Sequence, residues 1–169
     1  NSSQLHIAAL ASLSELIKDQ PNEINNKFIE KLGAFIVTKA TKQDSEQKEV
    51  VSALRLLVSE YLYLGITPID ESTLRKIFEK ANYLSTYGDD PIVRIRAIWA
   101  LGILSQEEKD QKSSIDRLIQ IFEQQTSSNP KEKLESILGL NFLLRKITMR
   151  FERTQALQTS KVLSFKPRE

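Results

Sequence analysis

Asp90-Pro91-Ile92-Val93-Arg94-Ile95-Arg96-Ala97-Ile98-Trp99-Ala100-Leu101-Gly102-Ile103-Leu104 is apolar on nearly every side, and its reading decides the fold. A helix of that kind needs neighbours in several directions. Its start is marked twice. Asp90 stands where a side-chain oxygen caps the first backbone N–H groups, and Pro91 takes the first helical position, where a missing N–H costs nothing.

Working outward, the same spacing of apolar residues recurs along the chain. Residues 4–19 carry Leu5, Ala9, Leu13, Leu16 and Ile17, and residues 24–40 carry Ile24, Phe28, Leu32, Phe35 and Ile36. A third helix, capped by Ser45, ends near Gly65, and a fourth, with Leu74, Ile77, Phe78, Ala81 and Leu84 inside, closes near Gly88. After a charged linker over 106–112, Ile115, Leu118, Ile119 and Phe122 mark a sixth helix. A seventh covers 134–147 behind Pro130. Alternation of period two is nowhere sustained, so the expectation is an all-α chain.

Internal repetition points to the architecture. Laid over one another at offsets of 44, 44 and 39 residues, the odd-numbered helices align Ala9, Ala53, Ala97 and Ser136 in one column. Leu13, Leu57, Leu101 and Leu140 fall in a second column, and Leu10, Leu54, Ile98 and Ile137 in a third. A small residue one turn before a constant Leu is what close stacking of helices requires.

Asp90-Pro91-x-Val93-Arg94-x-x-Ala97-x-x-Ala100-Leu101-Gly102 resembles the second helix of a HEAT repeat, and Asn129-Pro130-x-x-Lys133-x-x-Ser136-x-x-Gly139-Leu140 is a degraded second copy. That resemblance implies a right-handed α-α superhelix of HEAT or armadillo-like hairpins, about seven helices in all, with odd-numbered helices inner and even-numbered ones outer. It also implies an Asp–Arg ladder between repeats, involving Asp89 and Arg94. His6 and Val50 stand where the arginine belongs in the first and third helices and interrupt it. Residues 1–149 read as one solenoid segment of a longer protein, and residues 150–169 as a basic tail or an additional helix.

Composition narrows the chemistry. A net charge of +2 argues against a general nucleic-acid or membrane coat, and the absence of cysteine excludes disulfides and thiolate metal sites. One histidine, no cysteine and no glycine-rich loop before a helix leave little for a nucleophile, a base or a phosphate cradle. The expectation is a non-catalytic scaffold or adaptor without cofactor or metal. Its partner is a protein or peptide, not a small-molecule substrate, and no segment inserts in a membrane. Its location is cytoplasmic, with the nucleus as alternative. A nucleic-acid-associated solenoid is the lesser alternative: from Arg145 to Glu169 there are seven Lys or Arg and two acidic residues.

The repeat register also suggests a binding face. On the side of the inner helices away from the small-residue column, the third helix offers Lys48, Ser52, Arg55 and Ser59, which read as a wetted face. The fifth offers Ile92, Arg96, Trp99 and Ile103, and the seventh Lys131, Glu135, Leu138 and Phe142. Trp99, Ile103, Leu138 and Phe142 are therefore expected to form an apolar patch fringed by Arg55, Arg96 and Glu135, with an aromatic anchor suited to a partner. Two other readings stand beside it. Val162, Leu163 and Phe165 or an eighth helix fold over the patch, or the four residues are ordinary core. Loss of folding in Trp99→Ala favours the last.

Overall fold

The computed structural model describes residues 2–19, 26–64, 69–124 and 129–164, with side-chain environments at 2–13, 26–59, 69–124 and 129–160. These residues form seven α-helices, and no strand occurs among them. In order they are α1 (Ser2–Asp19), α2 (Asn26–Thr38), α3 (Asp44–Leu64), α4 (Glu71–Tyr87), α5 (Pro91–Leu104), α6 (Glu108–Glu123) and α7 (Pro130–Ser164). The all-helical expectation holds, and the arrangement is solenoid-like. Helices α1, α3, α5 and α7 pack in a row, each on the next. On one side of that row α2 lies against α3 and α4, α4 against α5, and α6 against both α5 and α7.

Local chemistry sets the helix starts. Asp70 accepts from Thr73 N at 2.9 Å to begin α4, and Asp90 accepts from Ile92 N at 2.8 Å to begin α5. Asn129 accepts from Lys131 N at 3.1 Å ahead of Pro130. The linker expected over 106–112 is shorter than that, because α6 already starts at Glu108. Its first turn carries Glu108 and Asp110, which suit the positive end of the helix dipole. Ser105 replaces a missing cap, accepting from Glu107 N at 3.0 Å and donating to Asp110 at 2.7 Å.

The seventh helix is longer than its apolar pattern predicts. Residues 150–164 continue α7 without a break, so they are neither a separate tail nor an eighth helix. Nothing in that stretch stops a helix, since it contains neither Gly nor Pro. Gly65, Val162, Leu163 and Phe165 lie outside the described side chains.

The core runs through the middle of the row. Ala53 and Ala97 are fully buried, as are Leu54 and Leu57, and Ser136 takes the same column in α7. The columns fail only at the ends of the row: Ala9 in α1 is exposed, and Ile137 in α7 is 48 % exposed. A helix with one neighbour in the row buries one side, whereas α5 packs on α3, α4, α6 and α7 and buries nine of its fourteen residues. That crowding answers the all-round apolar sequence of α5.

Candidate protein-binding surface

The residues expected to form an open patch are brought together, but they are closed over by α7. Trp99 is 2 % exposed and Ile103 is fully buried. The Trp99 ring lies parallel to that of Phe142, with centroids 5.2 Å apart and planes 3° from parallel. Arg96 makes a two-pronged pair with Glu135, Nε to Oε2 at 3.2 Å and Nη2 to Oε1 at 2.7 Å, so the expected rim bridges α5 to α7. Leu138 and Phe142 are half-buried, and Arg55 is half-buried on α3. Burial of Trp99 and Ile103 fits the core reading for these two residues. Trp99 and Ile103 sit between two packed helices, where a partner cannot reach them without parting α5 from α7.

Gly139 permits that closure. A Cβ there would lie 2.8 Å from Trp99 Cδ1 and 2.9 Å from its Cβ and Cγ. Gly102 plays the same part toward both α7 and α6, where a Cβ would meet Leu143 and Ser114 at 2.6 and 2.8 Å. The supposedly wet face of α3 is covered at its two serines. Ser52 and Ser59 are buried, their hydroxyls returned to the carbonyls of Lys48 and Arg55 at 2.7 and 3.0 Å. A serine that bonds its own helix sits under a neighbour at little cost, and sequence spacing cannot distinguish it from a solvated one.

The implied Asp–Arg ladder is replaced by other contacts. Gln47 of α3 and Asp89 exchange two hydrogen bonds at 2.9 Å, side chain to side chain and backbone N–H to side chain. Arg94 instead caps the end of α4, donating to the carbonyls of Gly88 and Asp89 at 2.5 and 3.2 Å.

One polar cluster invites a chemical reading. Ser3, His6 and Lys39 converge on Glu49 of α3, with Lys39 Nζ at 2.9 Å and His6 Nδ1 at 3.5 Å. Burial pushes the Glu49 carboxyl up, but hydrogen bonds from Ser3 and Lys39, the Lys39 charge and His6 together hold it below the ordinary value. Ser3 and His6 both turn toward the carboxylate. The cluster ties α1 and α2 to α3. Among the described residues no group of three potential metal ligands occurs, and no described helix is long and apolar enough to cross a membrane.

The open apolar surface lies elsewhere, on the outer side of the α6–α7 hairpin. On α7, Ile137, Leu140, Leu144, Ile147 and Phe151 follow one another at alternating steps of three and four, as along a coiled-coil seam. Leu140 is half-buried. Ile137, Leu144, Ile147 and Phe151 are 48, 59, 40 and 63 % exposed, and Ile119 and Phe122 of α6 are 38 and 42 % exposed. A trough of about 500 Å³ runs between the helices, with Ile115 on one wall and Ile147 and Phe151 on the other. The exposure at Ile119, Phe122 and Leu144 is the part that sequence reading missed. The signal was present, because a three-four seam on the last helix of a row has no further helix to bury it.

Among the described residues, fold and surface together define an all-helical repeat-like protein with an uncovered apolar ledge. A comparison with family models places the chain more narrowly: the model described as Interferon-related developmental regulator (IFRD) matches residues 1–137. The chain belongs to that family, and it is a helical protein of a regulatory class. No curated protein and no solved structure is detectably similar to it.

Proposed function

We propose that the chain is a non-catalytic protein-binding scaffold, a HEAT-like stack of helical hairpins that works within a larger protein or assembly. The observation that carries this reading is the α6–α7 ledge, where six large apolar side chains between 38 and 63 % exposed share one side of a hairpin. Scattered exposed hydrophobics are normal, but a contiguous set on adjacent helices marks an interaction surface. The partner engages this ledge in place of the buried Trp99 patch. Support for a non-catalytic role comes from the chemistry available: the lone histidine lies beside the Glu49 carboxylate, away from the ledge. Nucleic acid has weaker support, since Lys146, one of the basic residues counted toward it, is buried in the stack.

A photo-crosslinking amino acid at Leu144 tests this, with the same substitution at Tyr87, 67 % exposed on α4, as the comparison. The expected result is a discrete cross-linked protein from position 144 and none from position 87. Equal labelling from both positions, or none from either, would sink the reading.

A further inference from the structure

Helix α2 packs directly on α4, but α4 and α6 are each held by α5 rather than extensively by one another. Arg117 of α6 crosses the gap between them, donating from Nη2 to the Ser85 carbonyl at 2.9 Å and from Nη1 to the Ser85 hydroxyl at 3.3 Å. Arg94 of α5 reaches the same end of α4 through Nη1, at the carbonyls of Gly88 and Asp89. Both arginines line a cavity of about 260 Å³, with Ile95 and Ile98 of α5 and Ile121 of α6 as its apolar wall. A guanidinium carries five N–H donors. Among the described residues, Nε of both arginines and Nη2 of Arg94 have no acceptor.

Charge leaves this cavity short of one carboxylate. Neither arginine makes an ion pair among the described residues. Asp90 feels the charge of Arg94, but its own partner is Lys48 at 3.2 Å. Glu132 of α7 is the single acid on the wall against two arginines, and Gln120 and Gln124 beside it are neutral. The negative end of α4 offers roughly half a charge, less than the one left over. Burial pushes the Arg117 guanidinium down, with no acid to hold it up.

We infer that this cavity is a carboxylate-binding site, taking a carboxylate of a peptide together with the apolar side chain next to it. A planar, singly charged carboxylate matches the guanidinium fork and the leftover charge. A phosphate group, with close to two charges, exceeds that balance and meets Glu132. The three isoleucines receive the apolar neighbour, as in pockets where a few polar groups fix orientation and the rest is hydrophobic. A chain terminus and an Asp or Glu side chain both present this chemistry. The site is separate from the ledge, because Arg117, Gln120, Ile121 and Gln124 lie across α6 from Ile115, Ile119 and Phe122.

NMR of the whole chain, read at the arginine Nε–H resonances, tests this with four probes. N-acetyl-leucine carries a terminal carboxylate and N-acetyl-leucinamide is its neutral control; acetyl-Asp-Leu-amide carries a side-chain carboxylate and acetyl-Asn-Leu-amide is its control. The expected result is saturable shifts at Arg94 and Arg117 with at least one carboxylate and with neither control, and the carboxylate that binds names the source. Gln120→Glu, at an exposed position on the wall, supplies the missing negative charge and should weaken binding about fivefold. Glu132→Gln should tighten it by a similar factor. Both variants leave the arginines that cap α4 in place, and unchanged circular dichroism and Trp99 fluorescence establish that they fold. A neutral control that binds as tightly as its carboxylate overturns the site, as does the absence of saturable shifts with all four probes. Affinity indifferent to both substitutions overturns it as well.

Discussion

Two glycine-to-alanine substitutions, Gly139→Ala and Gly33→Ala, separate the packing described here from any looser arrangement of the same helices. Both glycines lie inside helices, so alanine favours each helix by up to about 1 kcal/mol. What differs is what the new methyl group meets. At Gly33 the nearest atom is Ile69 Cδ1 at 2.9 Å, the far end of a flexible side chain, with the next contacts at 3.4 and 3.6 Å. Ile69 can turn away, and Gly33→Ala is expected to raise stability by about 0.5 kcal/mol.

At Gly139 the methyl meets Trp99 at three atoms within 2.9 Å, and the indole is already held against Phe142. Overpacking a well-filled contact costs about 1–3 kcal/mol, which exceeds the helix gain, so Gly139→Ala should lose about 1–2 kcal/mol net. The assay is urea unfolding followed in parallel by circular dichroism and by the fluorescence of Trp99, the chain's one tryptophan. For a chain of this size the loss corresponds to a fall in Tm of roughly 2–8 °C. Gly139→Ala as stable as Gly33→Ala, with unchanged Trp99 emission, would refute the α5–α7 contact on which the burial of the Trp99 patch depends.

Trp99→Ala should lose about 3–5 kcal/mol and leave the chain partly unfolded, whereas Trp99→Phe should cost much less, because the buried indole Nε1 has no hydrogen-bond partner to lose; differential scanning calorimetry of both variants checks the ordering. The Arg96–Glu135 pair, its side chains 23 and 15 % exposed, should show a coupling of about 1 kcal/mol in a double-mutant cycle, and a double alanine variant whose loss equals the sum of the two single losses would refute it. Burial, aided by Arg150, holds Lys146 down to about 8, while the unfolded chain keeps that proton to about 10.4. Between those values the unfolded state binds more protons, so the stability of wild type relative to Lys146→Met should rise from pH 8 to pH 10, and a flat difference would contradict the buried ammonium.

Much of the architecture was legible in the sequence, because helix periods and caps are local. Asp90-Pro91, the small-residue column at Ala53 and Ala97, and the apolar girth of α5 each had one sensible reading, and each holds. The errors arose where a face had to be assigned to water or to protein. Ser52 and Ser59 look solvated in a sequence, yet they satisfy their hydroxyls on their own helix and are buried. Trp99 and Phe142 look like an exposed aromatic anchor only if α5 and α7 present them side by side, and in fact they stack on each other between the helices. Periodicity gives the angle of a side chain about its own helix. It does not give the number of helices around that helix, which decides what is covered.

The period that sequence comparison found near 44 residues also has a polar expression that no motif revealed. Lys80 of α4 reaches back to the end of α2 and donates to the carbonyls of Val37 and Lys39, 43 and 41 residues earlier. Lys146 of α7 does the same at the end of α5, donating to Gly102, Ile103 and Ser105, 44, 43 and 41 residues earlier. In each case an ammonium from the helix two elements on satisfies carbonyls that the preceding helix leaves unpaired and meets the negative end of its dipole. The desolvation that lowers both lysines is thus offset by contacts available only when successive hairpins are stacked in register. Such a contact distinguishes stacking from simple collapse, since a hydrophobic face tolerates sliding and a lysine aimed at two or three carbonyls does not. Lys80→Met and Lys146→Met should therefore keep the helix content while loosening the ends of α2 and α5, seen as faster amide exchange in the last turn of each. Exchange accelerated evenly along the chain would instead assign the lysines only a general share of stability.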